Sequence, residues 1–314
     1  MTAREATHLI GRYDGAQHGA LVLCVGAMHG NEPAGPAAIR RVLQMLQKES
    51  VANAHFVFRG RFLGLLGNTR AFEKQQRFIC CDLNRQWTVA NVQRIERTPI
   101  HDLTYEELEI RELLALIRQE IIDYRPTKLV LLDLHTTSSD GGIFTIPAND
   151  DQSLSTASAM CAPVVQGLTA NLVGTTLHYF CPENWDLPTI AVCFEAGQHA
   201  DPLSARRSVA AIINCLRTVG NVAAADVENR HDELLLRYST QLPRVTKLLL
   251  RHAVLPDDEF KMQPNYQNFQ PLRKGEILAY DRHGAIVAPK DCLLLMPLYQ
   301  SQGSDGFFLV EKIS

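Results

Sequence analysis

The sequence lacks any long apolar run. Nothing in its 314 residues approaches the roughly 20 apolar residues a membrane-crossing helix requires. The opening stretch, MTAREATHLIGRYDG, carries charges where a secretion signal needs an apolar segment, so no signal peptide is expected. No GxGxxG or GxxxxGK cradle for nucleotide phosphates is present, and no GxSxG elbow for a serine hydrolase. A large charge of either sign is missing as well. With 31 Lys and Arg against 34 Asp and Glu, the net charge is −3, which gives neither nucleic acid nor a membrane surface a reason to bind. The eight cysteines form no CxxC pair, and most lie inside apolar stretches, as Cys24, Cys193 and Cys215 do. In a chain this long they read as reduced thiols of a cytoplasmic protein rather than a disulfide scaffold.

What is present is a globular composition, 46% hydrophobic and 21% charged, long enough for one large domain and a small one. Short β-rich runs at 21–25, 55–62, 129–134, 142–146 and 189–194 alternate with helical patterns. Ile39, Val42, Leu43 and Leu46 recur at helical spacing, as do Ile110, Leu113, Leu114, Ile117 and Ile121. Thr104 and Glu107 form a capping box before the second pattern, Pro126 stops it, and a third helix runs to Gly220. The alternation implies an α/β fold with a mixed, mostly parallel central sheet flanked by helices. After about residue 225 the pattern changes to short strands broken by Gly and Pro, with DRHG as a hairpin turn. The expected organisation is a catalytic domain over 1–225 and a small β-rich domain over 226–314.

Chemistry gathers at the ends of the expected strands, where ligands bind in open α/β sheets. The run at 21–25 empties into GAMHGNEPAG with His29 and Glu32, the run at 129–134 into His135, and the run at 189–194 into Glu195. An isolated HxxE, or a single His or Glu at a strand end, is more often structural. Four such residues at three neighbouring strand ends favour a metal. Two His and one carboxylate are the protein ligands of a catalytic zinc site that keeps one position open for water, whose pKa falls to about 7. Glu195 is then the spare carboxylate that can take the proton. Asp133, two residues before His135 on the same strand face, is placed to orient its imidazole. In QQRFICCDLNRQW, Arg77, Asp82, Asn84 and Arg85 form a polar cluster suited to gripping an anionic substrate end; taken singly, its arginines read as surface salt bridges.

At these residues the sequence resembles the aspartoacylase and succinylglutamate desuccinylase family, relatives of the zinc carboxypeptidases. HGNE, RFICCDLNR, DLHTTSS and FEAG stand in the family's order, together spanning roughly residues 20–200. The resemblance implies one Zn²⁺ per chain held by His29, Glu32 and His135, with Glu195 as general base. Arg77, Asn84 and Arg85 would grip the substrate carboxylate, Arg77 also steadying the oxyanion. The family's small C-terminal β domain, which narrows access to the site, matches the module expected after residue 225. One position departs: Trp185 stands where aspartoacylases carry a second substrate-binding Arg, with Arg206 or Arg207 as substitutes from elsewhere. Tyr299 reads as a half-buried strand residue and is left outside the site.

The activity implied is removal of an acyl group from an N-acyl amino acid, by attack of zinc-bound water on the amide carbonyl. The expected partner is that small molecule, with homo-oligomer formation left open. Two rivals stand beside it: a metallocarboxypeptidase acting on short peptides, and a zinc-containing binding protein without turnover.

Overall fold

The run Leu21-Val22-Leu23-Cys24-Val25 has no polar face, so a strand built from it must be covered on both sides. A computed structural model, describing residues 7–313, puts it at the heart of a large sheet. Seven strands precede residue 225: β1 (Leu9–Asp14), β2 (Gln17–Gly26), β3 (Arg59–Leu66), β4 (Leu129–Thr137), β5 (Phe144–Pro147), β6 (Val164–Gln166) and β7 (Thr189–Gln198). Seven follow: β8 (Val245–Ala253), β9 (Lys261–Met262), β10 (Pro271–Leu272), β11 (Ile277–Asp281), β12 (Gly284–Val287), β13 (Cys292–Leu295) and β14 (Asp305–Lys312).

The sheet order is β1-β3-β2-β4-β7-β5-β6-β8-β14-β13-β10. Before residue 225, β2–β3, β2–β4, β4–β7 and β5–β6 pair in parallel, while β1–β3 and β5–β7 are antiparallel. The mixed, mostly parallel sheet expected from the alternating pattern is therefore present, flanked by helices. The period-2 alternation of each strand divides its side chains between two cores. Leu21, Leu23, Val25, Leu129 and Leu131 meet Ile110, Leu113, Leu114 and Ile117 of the helix Tyr105–Tyr124. Val22, Cys24, Val130 and Leu132 meet Ile39 and Val42 of the helix Ala34–Ala52 and Ile212 and Leu216 of the helix Ser204–Thr218. Each such fully buried aliphatic side chain stabilises the fold by about 1.5–3 kcal/mol.

The helix Tyr105–Tyr124 starts at the expected capping box, with Thr104 N donating to Glu107 at 2.8 Å, and ends at Arg125 in the left-handed conformation before Pro126. One strand is displaced from expectation. The run at 55–62 is a turn in its first half, and β3 covers Arg59–Leu66, because parallel pairing with β2 draws the apolar Phe62, Leu63, Leu65 and Leu66 into the sheet. Beyond residue 244 the strands do two things. β8 adds in parallel to β6, and β14, β13 and β10 extend the same sheet antiparallel. Meanwhile β9, β11 and β12 make a separate small antiparallel sheet, with Arg282-His283 as the β11–β12 turn. Because β2, β4 and β7 are adjacent and parallel, their carboxyl ends open at one edge.

Candidate active site

Gly26 ends β2, and Ala27 turns the chain through a φ of 54°, in the left-handed region that L side chains seldom adopt. Met28 drops into the core, and His29 and Glu32 come round on the following turn. Gly30 explains the glycine in this loop: a Cβ there would lie 2.2 Å from the Ala71 backbone carbonyl carbon. That close approach lets Gly30 N donate to Arg77 O at 3.1 Å, so the loop bearing His29 and Glu32 is fastened to the loop bearing Arg77.

Glu32 sits between the two histidines. Its Oε1 is 2.8 Å from His29 Nδ1 and its Oε2 is 3.2 Å from His135 Nδ1, with Thr136 N donating to Oε2 at 2.9 Å. One ligand atom from each of the three residues falls within 4.8 Å of the others, and all three residues are buried. The far imidazole nitrogens are also held: His29 Nε2 is 3.2 Å from Asp82 Oδ1, and His135 Nε2 is 3.1 Å from Asp133 Oδ2. Thr176 Oγ1 donates to that same Asp133 oxygen at 2.6 Å.

Asp82 has a second engagement. Its Oδ2 accepts from Arg77 Nε and NH2 at 3.2 and 2.8 Å, and its Oδ1 caps the short turn Leu83–Arg85 by accepting from Asn84 N at 2.9 Å. Asn84 Oδ1 in turn accepts from Thr176 N at 2.9 Å. Arg85 donates to Asn84 O at 2.7 Å and to Asp305 Oδ2 at 2.5 Å, and Asp305 Oδ1 accepts from Arg251 Nε at 2.5 Å. Glu195, beside His135 in the β4–β7 pairing, keeps a buried Oε2 without any hydrogen-bond partner. All seven residues singled out in the sequence, His29, Glu32, Arg77, Asn84, Arg85, His135 and Glu195, line one cavity. Met296, Leu298, Gln300 and residues 303–305 of the C-terminal region close its other side.

The electrostatics follow from burial among many carboxylates. Burial raises the Glu195 carboxyl to about 8, with Glu32 and Asp133 adding to the rise and His135 and Arg77 opposing it. Burial also works against charge on Glu32, but His29 and His135 outweigh it and hold that carboxyl well below its usual range. Burial would lower His135, yet Asp133 and Glu32 carry it well above an ordinary imidazole. Two imidazoles aimed at one carboxylate, each backed by an acid on its other nitrogen, are the donor set of a dication held in carboxylate–histidine–metal fashion. Glu195, whose Oε2 is unpartnered, lines the same cavity. The residues present fit zinc.

Other residues stand elsewhere. Trp185 stacks on Phe180 with ring centroids 5.0 Å apart, away from the cavity lining. Arg207 is buried beneath the end of β7, donating to Ala196 O and to Asp201, and Arg206 is exposed; neither lines the cavity. The Tyr299 hydroxyl is spent within the C-terminal region, donating to Gln263 O at 2.6 Å. Asp305 and Arg251 were not anticipated, because nothing in a C-terminal strand pattern marks a partner 220 residues away.

Residues 18–219 match the model of the succinylglutamate desuccinylase/aspartoacylase catalytic domain. The chain belongs to that family. A probable aspartoacylase of Nostoc sp. is 22% identical over 307 residues, 90% of this chain and 91% of that protein. The fold is shared with murine aminoacylase 3 (TM-score 0.61, 18% identity, 95% of this chain and 96% of that one). It is also that of the succinylglutamate desuccinylase from Vibrio cholerae (TM-score 0.61, 17% identity, 95% of this chain and 82% of that one). The structure gives Trp185 a packing role. Its ring completes an aromatic cluster with Tyr179 and Phe180, so no cation enters the cavity from that position.

Proposed function

We propose that this protein is a zinc-dependent amidohydrolase that removes the acyl group from an N-acyl amino acid. The observation that carries the reading is that Glu195, with a buried unpartnered Oε2, lines the same cavity as the His29, Glu32 and His135 donors and as Arg77, Asn84 and Arg85. Binding alone has no need of a spare buried base, and the C-terminal segment closing the cavity favours a small molecule over a longer peptide.

His29 Nδ1, the Glu32 carboxylate and His135 Nδ1 would hold the ion, and Asp82 and Asp133 fix the orientation of the two rings. Zinc there supplies Lewis acidity, making water nucleophilic at neutral pH and polarising an amide carbonyl. Arg85 and Asn84 grip the α-carboxylate and so set the scissile carbonyl near the donors. Arg77, steadied by Asp82, answers the negative charge that develops on the carbonyl oxygen. Glu195 takes a proton from the attacking water and passes it to the departing amine nitrogen as the carbon–nitrogen bond breaks. The domain division at residue 225 and a cytoplasmic location belong to the same proposal; all eight cysteines are unpaired, in keeping with reduced thiols. Among the described residues no helix is long and apolar enough to cross a membrane.

Replacing the base tests the reading. Glu195→Ala is expected to retain one zinc per chain and lose about 10²–10⁴-fold in turnover of N-acyl amino acids. Wild-type turnover in that variant would remove Glu195 from the chemistry.

A further inference from the structure

A carboxylate from the C-terminal strand sits on the arginine meant for substrate. Asp305, at the start of β14, places Oδ2 2.5 Å from Arg85 NH2 and Oδ1 2.5 Å from Arg251 Nε, and it lines the cavity. Arg251 is further tied to Asn171 O at 3.2 Å and is absent from the cavity wall, so it fixes the position of the Asp305 carboxylate from behind. Only two arginines, and no lysine, line the cavity among the described residues, and each already has an acid: Arg77 has Asp82, and Arg85 has Asp305. Arg85 itself lines the cavity and keeps a buried Nε without a partner. Much of the remaining wall is apolar: Ile146, Leu172, Leu177, Met296, Leu298 and Phe308.

We propose that Asp305 is a specificity-determining residue that restricts the site to N-acyl amino acids with a single carboxylate and an apolar side chain. The inference rests on the deacylase reading for its ligand class. Its physics is charge arithmetic in a water-poor cavity. The α-carboxylate uses the free edge of Arg85. A second, side-chain carboxylate would find no arginine or lysine of its own and would lie in the field of Asp305. Leaving a buried charge unpaired is costly, and a fixed like charge discriminates against the wrong ligand more strongly than an added attraction favours the right one. An apolar side chain incurs no such cost and covers the leucines and Phe308.

The test separates binding from turnover. Zinc-loaded protein is titrated calorimetrically with N-methylsulfonyl-leucine and N-methylsulfonyl-aspartate, whose sulfonamides resist acyl hydrolysis, and the same samples are assayed on N-acetyl-leucine and N-acetyl-aspartate. Wild type is expected to bind the leucine analogue at least tenfold more tightly. Asp305→Asn is expected to cut that preference tenfold or more, mainly by improving the aspartate analogue. The double variant Asp305→Asn/Arg251→Gln removes the pair together and carries the same expectation should the single variant fail to fold. A wild-type preference for the aspartate analogue, or an unchanged ratio in the variants, overturns the proposal. Should the binding ratios behave as expected while no N-acyl amino acid is hydrolysed, the charge assignment of Asp305 stands and the deacylase reading falls.

Discussion

Glu106 holds by its backbone the loop that leads into Asp82, Asn84 and Arg85. It lies in the first turn of the helix Tyr105–Tyr124 and is fully buried. Its Oε1 accepts from Ile79 N at 2.7 Å and Asn68 Nδ2 at 3.3 Å, and its Oε2 from Cys80 N at 3.0 Å and Cys81 N at 3.3 Å. One carboxylate therefore captures three successive amides immediately before Asp82, Asn84 and Arg85. Glu106→Gln keeps the size and removes the charge, but one of the two oxygens becomes an NH2 group. Whichever way the amide turns, two donors then face a donor, and each buried unpaired donor costs about 1–3 kcal/mol. A loss of roughly 2–6 kcal/mol is expected, a large share of a typical stability of about 5–15 kcal/mol. Urea unfolding of wild type and variant measures it. The loop's displacement should also weaken substrate binding through Arg85 and Asn84, raising KM more than it lowers kcat. A stability change under about 0.5 kcal/mol, the ordinary surface range, would refute the claim that Glu106 is the loop's anchor.

Asp82→Asn should lower zinc affinity about 10–100-fold in a chelator competition, the usual effect of losing a carboxylate behind a ligating histidine; unchanged affinity would detach Asp82 from the metal site. One and two turns beyond Glu106 on the helix Tyr105–Tyr124, Glu109 and Glu112 lie 3.0 and 3.3 Å from His8. Burial opposes the charge, but the two carboxylates raise this imidazole from 6.5 to about 9. A pKa raised by folding adds stability that is complete below about pH 6.5 and disappears as the pH climbs through about 9. The stability gap between wild type and His8→Gln should therefore be widest near pH 6 and close towards pH 9–10, and a gap that ignores pH would contradict the pairing.

The parts that could be read from the sequence are those whose physics is local. Apolar runs without a polar face must be central strands, and the carboxyl ends of such strands collect ligands, which is why His29, Glu32, His135 and Glu195 stood out before any geometry. The capping box at Thr104 and Glu107 was legible for the same reason. β1 was missed because LIGRYD pairs only at an edge and mixes half-buried with exposed residues, leaving no apolar run to see. The antiparallel placing of β5 against β7 was also hidden, since strand order depends on long-range pairing. In the sequence nothing sets Glu106 apart from Glu107 beside it, since acids are favoured in the first turn of any helix. Its grip on residues 79–81, like the grip of Asp305 on Arg85, exists only once distant segments meet.

The central claim is that this cavity hydrolyses N-acyl amino acids with the help of a metal. The most direct measurement is amino-acid release by purified, zinc-quantified protein from a panel of N-acyl amino acids varying in acyl chain and side chain, with and without chelator. One zinc per chain and chelator-sensitive release from at least one member is the predicted result. Stoichiometric zinc with no release from any member, or release that a chelator leaves untouched while removing the zinc, would contradict it.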